Sequence, residues 1–381
     1  MNKKEILEIR KQFTPENCTI SRICGCYVDG EKHIVMEHKD AFGSLSEEEA
    51  FKYFDIFRHT LSGTPGKNLM DMEFPLETEA PGGTQDFLLR LRDSHLEDDL
   101  LLEEFYQKVI ESYSYDMNYY IILIHAVYDI PGKSSDNLEM FDASDNVYDF
   151  ILCSICPVNL SKAGLYYNTE KNAIEDRIRD WIVASPANGF LFPAFNDRNT
   201  DIHGILYYTK NAENMNQNLV DQLLGCVPPL SASSQKETFH SVMESALGED
   251  CGYELVRSLH EDLGEMLEAA KDSPEPLTLT KRDVRCILEE NDIPEEKIQA
   301  FEKEFDESIS RDTPVLVSNI VNTRQFQIET PDVVIKVKPE RMDLVETKVI
   351  DGRTCLVIPV DEHIEVNGMT VSTIKPEEGM D

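Results

Sequence analysis

The chain has 381 residues, of which 72 are acidic and 36 are basic, so its formal net charge is -36. Hydrophobic residues make up 41% of the chain, which is too much for a disordered protein and enough for two or three domains without disulfides. The acidic excess argues against proteins that depend on basic surfaces, such as direct nucleic-acid binders and proteins adsorbed on anionic membranes.

No segment of the sequence indicates export or membrane insertion. The N-terminal ten residues are polar and charged, and the most apolar run, residues 119–128, is about half as long as a membrane-spanning helix. The nine cysteines are an odd number and lack the dense spacing of a secreted disulfide scaffold. We therefore expect a cytoplasmic protein with reduced thiols and no membrane association.

The N-terminal segment carries clear helix and hairpin signals. Apolar periodicity predicts a helix at residues 3–13. A β-hairpin is predicted at residues 19–38, because Asp29-Gly30 suits a type I′ turn, in which both central residues need a positive φ. The next helix is predicted to begin at Ser46, where Glu49 completes a capping box.

The densest β signal lies in two β-branched and aromatic runs, residues 119–130 and 147–158, which are joined by a long polar loop at residues 131–146. Helices are predicted between residues 84 and 110, with a break near residue 93, and at residues 215–225. Shorter strands are predicted at residues 69–76, 165–167, 181–184, 189–195 and 204–208. Successive strands joined by loops favour an antiparallel sheet with helices on one side.

The pattern changes after the proline pair at residues 228–229, where a serine-rich run begins. Helices are predicted at residues 234–247, 253–270, 280–290 and 294–308, the first and third starting with capping boxes at Ser234 and Thr280. The C-terminal region is predicted to be β again, with hairpin turns at Asp351-Gly352 and Asn367-Gly368.

These signals predict an α+β fold with an N-terminal, mostly antiparallel sheet and helices, a helical middle segment and a small C-terminal β domain. The predicted domains are residues 1–229 for the α+β domain, 230–312 for the helical segment and 313–375 for the small β domain. Residues 376–381 are expected to be a frayed tail.

Two cysteine pairs, Cys24 with Cys26 and Cys153 with Cys156, are the candidates for a metal site, because thiolates are good zinc ligands. Both pairs lie in predicted strands, where residues three apart face opposite sides, so Cys153 and Cys156 cannot bind one ion together. Cysteine also packs in cores as a small apolar side chain. We therefore expect no metal and no cofactor, and the four cysteines remain weak candidates.

Two further groups of residues have ordinary structural explanations. His125 lies inside the apolar run at residues 119–130 and is expected to be a buried, hydrogen-bonded core histidine rather than a catalytic one. Asp142, Asp145 and Asp149 are predicted to lie in a loop, but their spacing does not match an EF-hand. They are interpreted as solvated loop acids.

Four stretches, at residues 20–28, 235–239, 349–352 and 365–368, resemble an uncharacterised family of similar length from anaerobic Gram-positive bacteria. The resemblance covers nearly the whole chain. The family is held as a domain of unknown function, so the resemblance implies a cytosolic bacterial protein and transfers no catalytic residue. The C-terminal half is also similar in texture to a bacterial nucleoid-associated family of comparable length.

The sequence does not assign a biochemical activity. Our preferred hypothesis is a non-enzymatic cytosolic binding or scaffold protein whose partner is another, unidentified protein. One alternative is an enzyme whose site is assembled from residues distant in the sequence, and a second is an acidic DNA mimic or nucleoid-linked factor. Direct nucleic-acid binding is not expected. A large exposed apolar patch would favour the binding protein, whereas a pocket with convergent polar groups would favour the enzyme.

Overall fold

The computed structural model describes residues 1–133, 139–140, 146–213, 215–226, 230–309, 315–323, 325–359, 364–366 and 369–371. The chain forms two compact units. The first contains Met1–Thr238, Asp272–Thr278 and Arg311–Asn319, and the second contains Phe239–Lys271, Leu279–Ser310 and Ile320–Asp381. The domain boundaries proposed above, after residues 229, 312 and 375, stay predictions.

Helices and strands both contribute substantially, which confirms the α+β class. The helices are α1 (Lys3–Arg10), α2 (Glu47–Thr60), α3 (Thr84–Asp93), α4 (Asp99–Ser112), α5 (Ala232–Leu247), α6 (Tyr253–Ala269), α7 (Lys281–Glu290), α8 (Glu295–Ser308) and α9 (Val317–Ile320), with a π-helical segment at Leu219–Leu224.

The N-terminal strands are β1 (Ile20–Val28), β2 (Ile34–Ala41), β3 (Leu69–Glu73), β4 (Tyr119–Ile130), β5 (Gly132–Lys133), β6 (Glu139–Met140), β7 (Asn146–Leu160), β8 (Leu165–Asn168), β9 (Ala173–Asp176), β10 (Trp181–Val183), β11 (Asn188–Phe192), β12 (Ala194–Asn196), β13 (Asn199–Asp201) and β14 (Gly204–Thr209). The C-terminal strands are β15 (Phe326–Glu329), β16 (Val334–Val337), β17 (Glu346–Ile350), β18 (Arg353–Val357), β19 (Ile364–Val366) and β20 (Met369–Val371).

The first unit is built on one antiparallel sheet. Its strand order is β2-β1-β4-β7-β11-β14-β3, and β10 also pairs with β7. The central pair, β4 and β7, runs in register from Tyr119 opposite Pro157 to Ile130 opposite Asn146. Strands β4 and β7 lie in the middle of the sheet and carry His125 and Asp149, which are discussed below.

Helices cover both faces of this sheet, whereas the sequence had suggested helices on one side only. On one face Cys153 of β7 belongs to the same core as Leu88 of α3 and Phe105 of α4. On the other face Leu152 shares a core with Ile9 of α1 and Phe57 of α2. The physical reason is that β4 and β7 are apolar at successive positions, not at alternate ones, so both faces must be buried.

Two of the three predicted capping boxes are present. The side chains of Ser46 and Thr280 each cap their helix, paired with Glu49 and Asp283. The prediction for Ser234 was wrong. The hydroxyl of Ser231 accepts a hydrogen bond from the backbone N–H of Ser234 at 3.0 Å, so the serine run caps α5 one turn earlier.

The turn chemistry follows the sequence at one of the two described turns. Asp29-Gly30 lies in the connection between the paired strands β1 and β2, which confirms the hairpin. The predicted type I′ geometry was wrong, because neither residue has a positive φ and Lys32, with a φ of 66°, takes the left-handed position instead. Asp351 and Gly352 have φ angles of 51° and 75°, as a type I′ turn requires, between β17 and β18. Asn367-Gly368 lies outside the described residues, although β19 and β20 on either side of it pair. Most of the polar loop at residues 131–146 also lies outside them, as do Asp142 and Asp145.

The second unit combines the part of α5 from Phe239 onward and α6, α7 and α8 with three small hairpins. Among the described residues, its fully buried helix positions include Leu247, Leu263, Val284, Leu288 and Phe301. The two-stranded sheets pair β15 with β16, β17 with β18 and β19 with β20. Across the residues that the structure describes, no helix is long and apolar enough to cross a membrane.

Candidate functional site

Exposed apolar side chains are concentrated in one segment of the first unit, residues 165–183, which we call the apolar segment. It includes β8, β9 and β10, and β9 was not predicted from the sequence. The exposed residues in it are Leu165, Tyr166, Tyr167, Ile174, Ile178, Trp181, Ile182 and Val183. Single exposed apolar residues are normal on a surface, but a continuous group of this kind is typical of an interaction site.

The strand β10 has one free edge. Its residues pair with β7, Trp181 opposite Leu160 and Val183 opposite Val158. The backbone groups of Asp180 and Ala184 point towards β7. The Asp180 carbonyl accepts a hydrogen bond from the Ser161 N–H, and the Ala184 N–H donates one to the Pro157 carbonyl, both at 2.8 Å.

Alternate residues of an antiparallel strand bond to opposite neighbours, so the backbone groups of Trp181 and Val183 point away from β7. No strand in the described ranges pairs with that side. An apolar edge with unpaired N–H and C=O groups is a surface on which another strand can pair.

A cleft lies beside this free edge. Its volume is about 790 Å³, within the range of sites that bind small molecules or short peptide segments. Helix α2 forms one wall and residues 181–186 form the other, with Tyr120 of β4 also lining the cleft. The α2 wall carries Glu49, Lys52, Tyr53, Asp55, Ile56 and His59, so two carboxylates and one ammonium group face the cleft region.

The hydroxyl group of Tyr120 is held in place by neighbouring polar side chains. It lies 3.2 Å from the hydroxyl of Tyr53 and hydrogen-bonds Nε2 of His38, whose Nδ1 lies 2.9 Å from Asp40. A side chain at Gly25 would overlap this contact, which explains the glycine in the middle of β1. Burial raises the pKa of Tyr120 well above its ordinary value, so the phenol stays protonated.

The four cysteines singled out in the sequence are buried in strands. Cys24, Cys26 and Cys153 belong to the core under α3 and α4, and Cys156 belongs to the opposite core. Burial raises the pKa of Cys24, Cys26 and Cys156 to about 12 and also raises the pKa of Cys153. The structure therefore divides the four sulfur atoms between two faces of the sheet as protonated thiols.

His125 is buried and hydrogen-bonded, as the sequence indicated. Its Nδ1 lies 2.6 Å from the hydroxyl oxygen of Ser21, and its Nε2 lies 2.7 Å from a carboxylate oxygen of Asp149. The prediction that Asp149 lies in a loop was wrong, because Asp149 belongs to β7. The extended register of β7 against β4 places Asp149 opposite Val127, two residues from His125.

His95 completes this group, which we call the His125 cluster: Ser21, His95, His125 and Asp149. His95 lies in the connection between α3 and α4, and its ring stacks on that of His125 with centroids 4.5 Å apart. One donor atom from each of His95, His125 and Asp149 lies within 4.8 Å of the others. The sequence analysis missed Ser21 and His95, because no short motif links residues this far apart in the chain.

Comparison with known proteins places nearly the whole chain in one family. The family model described as domain of unknown function (DUF4317) matches residues 1–369 of the 381 residues. Neither the curated proteins nor the solved structures gave a match. The chain therefore belongs to the DUF4317 family, a domain of unknown function, in agreement with the resemblance seen in the sequence.

Proposed function

We propose that the protein is a non-enzymatic, cytoplasmic binding protein that takes up an extended segment of a protein partner along β10. The observation that carries this proposal is the free edge of β10, where the backbone groups of Trp181 and Val183 point outward beside exposed apolar side chains. Addition of a strand to an open edge is a common way to bind peptides: the backbone supplies affinity and side-chain pockets supply specificity.

The chemistry of the surface favours a partner segment in which apolar and basic residues alternate. In a strand, alternate side chains point to opposite sides, so the apolar set can contact the exposed apolar side chains while the basic set faces the carboxylates of the cleft beside α2. Glu49 and Asp55 line that cleft, and the chain as a whole carries a net charge of -36. Electrostatic complementarity therefore selects basic over acidic segments and speeds their association.

Trp181 makes this proposal directly testable. It is the single tryptophan of the sequence, it lies on β10, and its side chain is 51% exposed. Its emission should shift to shorter wavelength when a bound strand shields the indole from water. The probe is a synthetic peptide of about ten residues, the upper length of most strands, with alternating valine and lysine.

We expect saturable binding of this peptide, with an affinity at least about tenfold higher than that of the matched valine–glutamate peptide. Val183→Pro removes an outward N–H while leaving the ladder to β7 intact, and should abolish the shift. Val183→Thr keeps both the N–H and β-branching, and serves as the matched control. Unchanged binding in Val183→Pro, or equal binding of the lysine and glutamate peptides, would reject the proposal.

A further inference from the structure

We propose that His95, His125 and Asp149 form a binding site for a divalent transition-metal ion of the zinc type. This inference does not rest on the function proposed above, since it concerns other residues of the first unit. It also departs from the sequence-based expectation, which took four cysteines as weak metal-ligand candidates, rejected an EF-hand at Asp142, Asp145 and Asp149, and predicted no metal.

The donor atoms of the cluster lie close enough to converge on one ion after small movements. A tetrahedral zinc ion with bonds of about 2.0–2.2 Å separates its ligand atoms by about 3.3–3.5 Å. Nε2 of His125 lies 2.7 Å from Asp149, a hydrogen-bond distance that must lengthen around an ion, and Nε2 of His95 lies 3.8 Å from Asp149. Because the His95 side chain is 58% exposed, it can adjust without disturbing the core.

The hydrogen bonds of Ser21 prepare His125 to bind a cation. The Ser21 hydroxyl lies 2.6 Å from Nδ1 of His125 and 3.2 Å from the His125 carbonyl, so with a proton on Nδ1 it can accept from Nδ1–H and donate to the carbonyl. Without a metal, a proton on Nε2 makes the 2.7 Å contact with the Asp149 carboxylate a hydrogen bond. A metal ion bound to Nε2 and to the carboxylate would replace that proton, and Ser21 would then hold the Nδ1–H tautomer.

Ser21, His125 and Asp149 also have the composition of a Ser-His-Asp triad, in which the serine proton would point at the histidine nitrogen. In the metal site proposed here, the serine proton points instead at the His125 carbonyl. Ser21 is therefore a positioning residue that fixes the tautomer and orientation of a ligand histidine, a common arrangement around bound zinc.

The donor set defines the class of metal. Two imidazole nitrogens and one carboxylate oxygen suit zinc and neighbouring first-row ions, whereas calcium and magnesium prefer oxygen ligands alone. Arg22, the register partner of His125, pairs with Glu97 at 2.7 Å, which offsets its positive charge. Three protein ligands leave at least one coordination position for water, as in catalytic rather than structural zinc sites.

Titration of the full-length protein with cobalt(II), followed by displacement with zinc(II), tests the proposal. We expect one ion per chain, visible ligand-field bands of a low-symmetry cobalt site, and no intense thiolate-to-cobalt absorption in the near ultraviolet. His95→Ala, a change at an exposed side chain, should weaken cobalt binding at least about tenfold. The matched control is His203→Ala, since His203 is exposed, pairs with Glu79 and lies outside the cluster.

The variant Ser21→Ala tests whether Ser21 positions His125 for metal binding or only supports the fold. Loss of such an outer hydrogen bond lowers metal affinity by about 10–100-fold, and Ser21→Thr, which keeps the hydroxyl, should restore both the affinity and the cobalt spectrum. Equal cobalt binding by His95→Ala and the wild type would show adventitious binding only and would overturn the site. Absence of binding together with labelling of Ser21 by a fluorophosphonate would instead assign a nucleophilic serine.

Discussion

The hydroxyl groups of Thr60, at the end of α2, and Ser154, in the middle of β7, lie 2.6 Å apart, and both side chains are fully buried. Thr60 also donates towards the Ile56 carbonyl at 3.1 Å, so both hydroxyls are satisfied inside the core. This contact sets how closely α2 approaches the sheet. Since α2 is also one wall of the cleft, the contact helps to position the proposed binding surface.

The close approach of α2 depends on Gly189 of β11. A Cβ atom at this position would overlap the Cys153 carbonyl oxygen and lie 2.7 Å from Cγ2 of Thr60. We expect Gly189→Ala to lower the free energy of unfolding by about 1–3 kcal/mol, as overpacked cores do. Urea denaturation measures the change. Gly164→Ala is the matched control, because a Cβ atom there meets open space, and an equal effect of both changes would contradict this account.

Reactivity of the cysteines should follow their burial. Burial raises the pKa of Cys24, Cys26 and Cys153, so few of these thiols ionise near pH 8. In the native protein we expect iodoacetamide to modify the exposed Cys286 first, and the three buried thiols only after denaturation. Mass spectrometry of the peptides identifies the order. Early modification of Cys153 would show that the sheet opens readily under native conditions.

The pair of His203 and Glu79 should produce a measurable titration. The Glu79 carboxylate, 2.6 Å from Nδ1 of His203, raises the pKa of this histidine above its ordinary value of 6.5. A pKa that is raised in the folded state stabilises the protein fully below the unfolded pKa, and this contribution disappears as the pH rises through the folded pKa. The contribution should be small, because His203 is exposed. NMR titration of the imidazole should show a lower pKa in Glu79→Gln, and an unchanged pKa would refute the pairing in solution.

The protein should not bind duplex DNA specifically at physiological salt. Counterion release requires lysine and arginine at phosphates, whereas the chain has a net charge of -36 and α8 carries an excess of acidic residues. A basic patch that contradicts this prediction would most easily form in the C-terminal region, which contains Lys336, Lys338, Arg341, Lys348 and Arg353. A mobility shift that weakens steeply with salt, and that is lost when these five residues are neutralised, would show that local charge outweighs net charge.

Much of the fold could be predicted from the sequence because the relevant signals are local. Strand β4 occupies residues 119–130, as its β-branched and aromatic run indicated, and α2 begins after the capping serine, Ser46. Such patterns act over a few residues, through side-chain periodicity, caps and turns. These local patterns correctly predicted the α+β class and the burial of His125 and of the four candidate cysteines.

The arrangement of these elements was decided only by the tertiary structure. Helices on both faces of the sheet, the free edge of β10 and the cleft beside α2 depend on strand order, which no local pattern encodes. The His125 cluster is the clearest case. Ser21, His125 and Asp149 lie on adjacent strands, and His95 reaches them from a helix connection, so residues more than a hundred positions apart become neighbours. Their proximity follows from the pairing of β1, β4 and β7, because side chains distant in sequence interact only after long-range hydrogen bonding has placed their strands side by side.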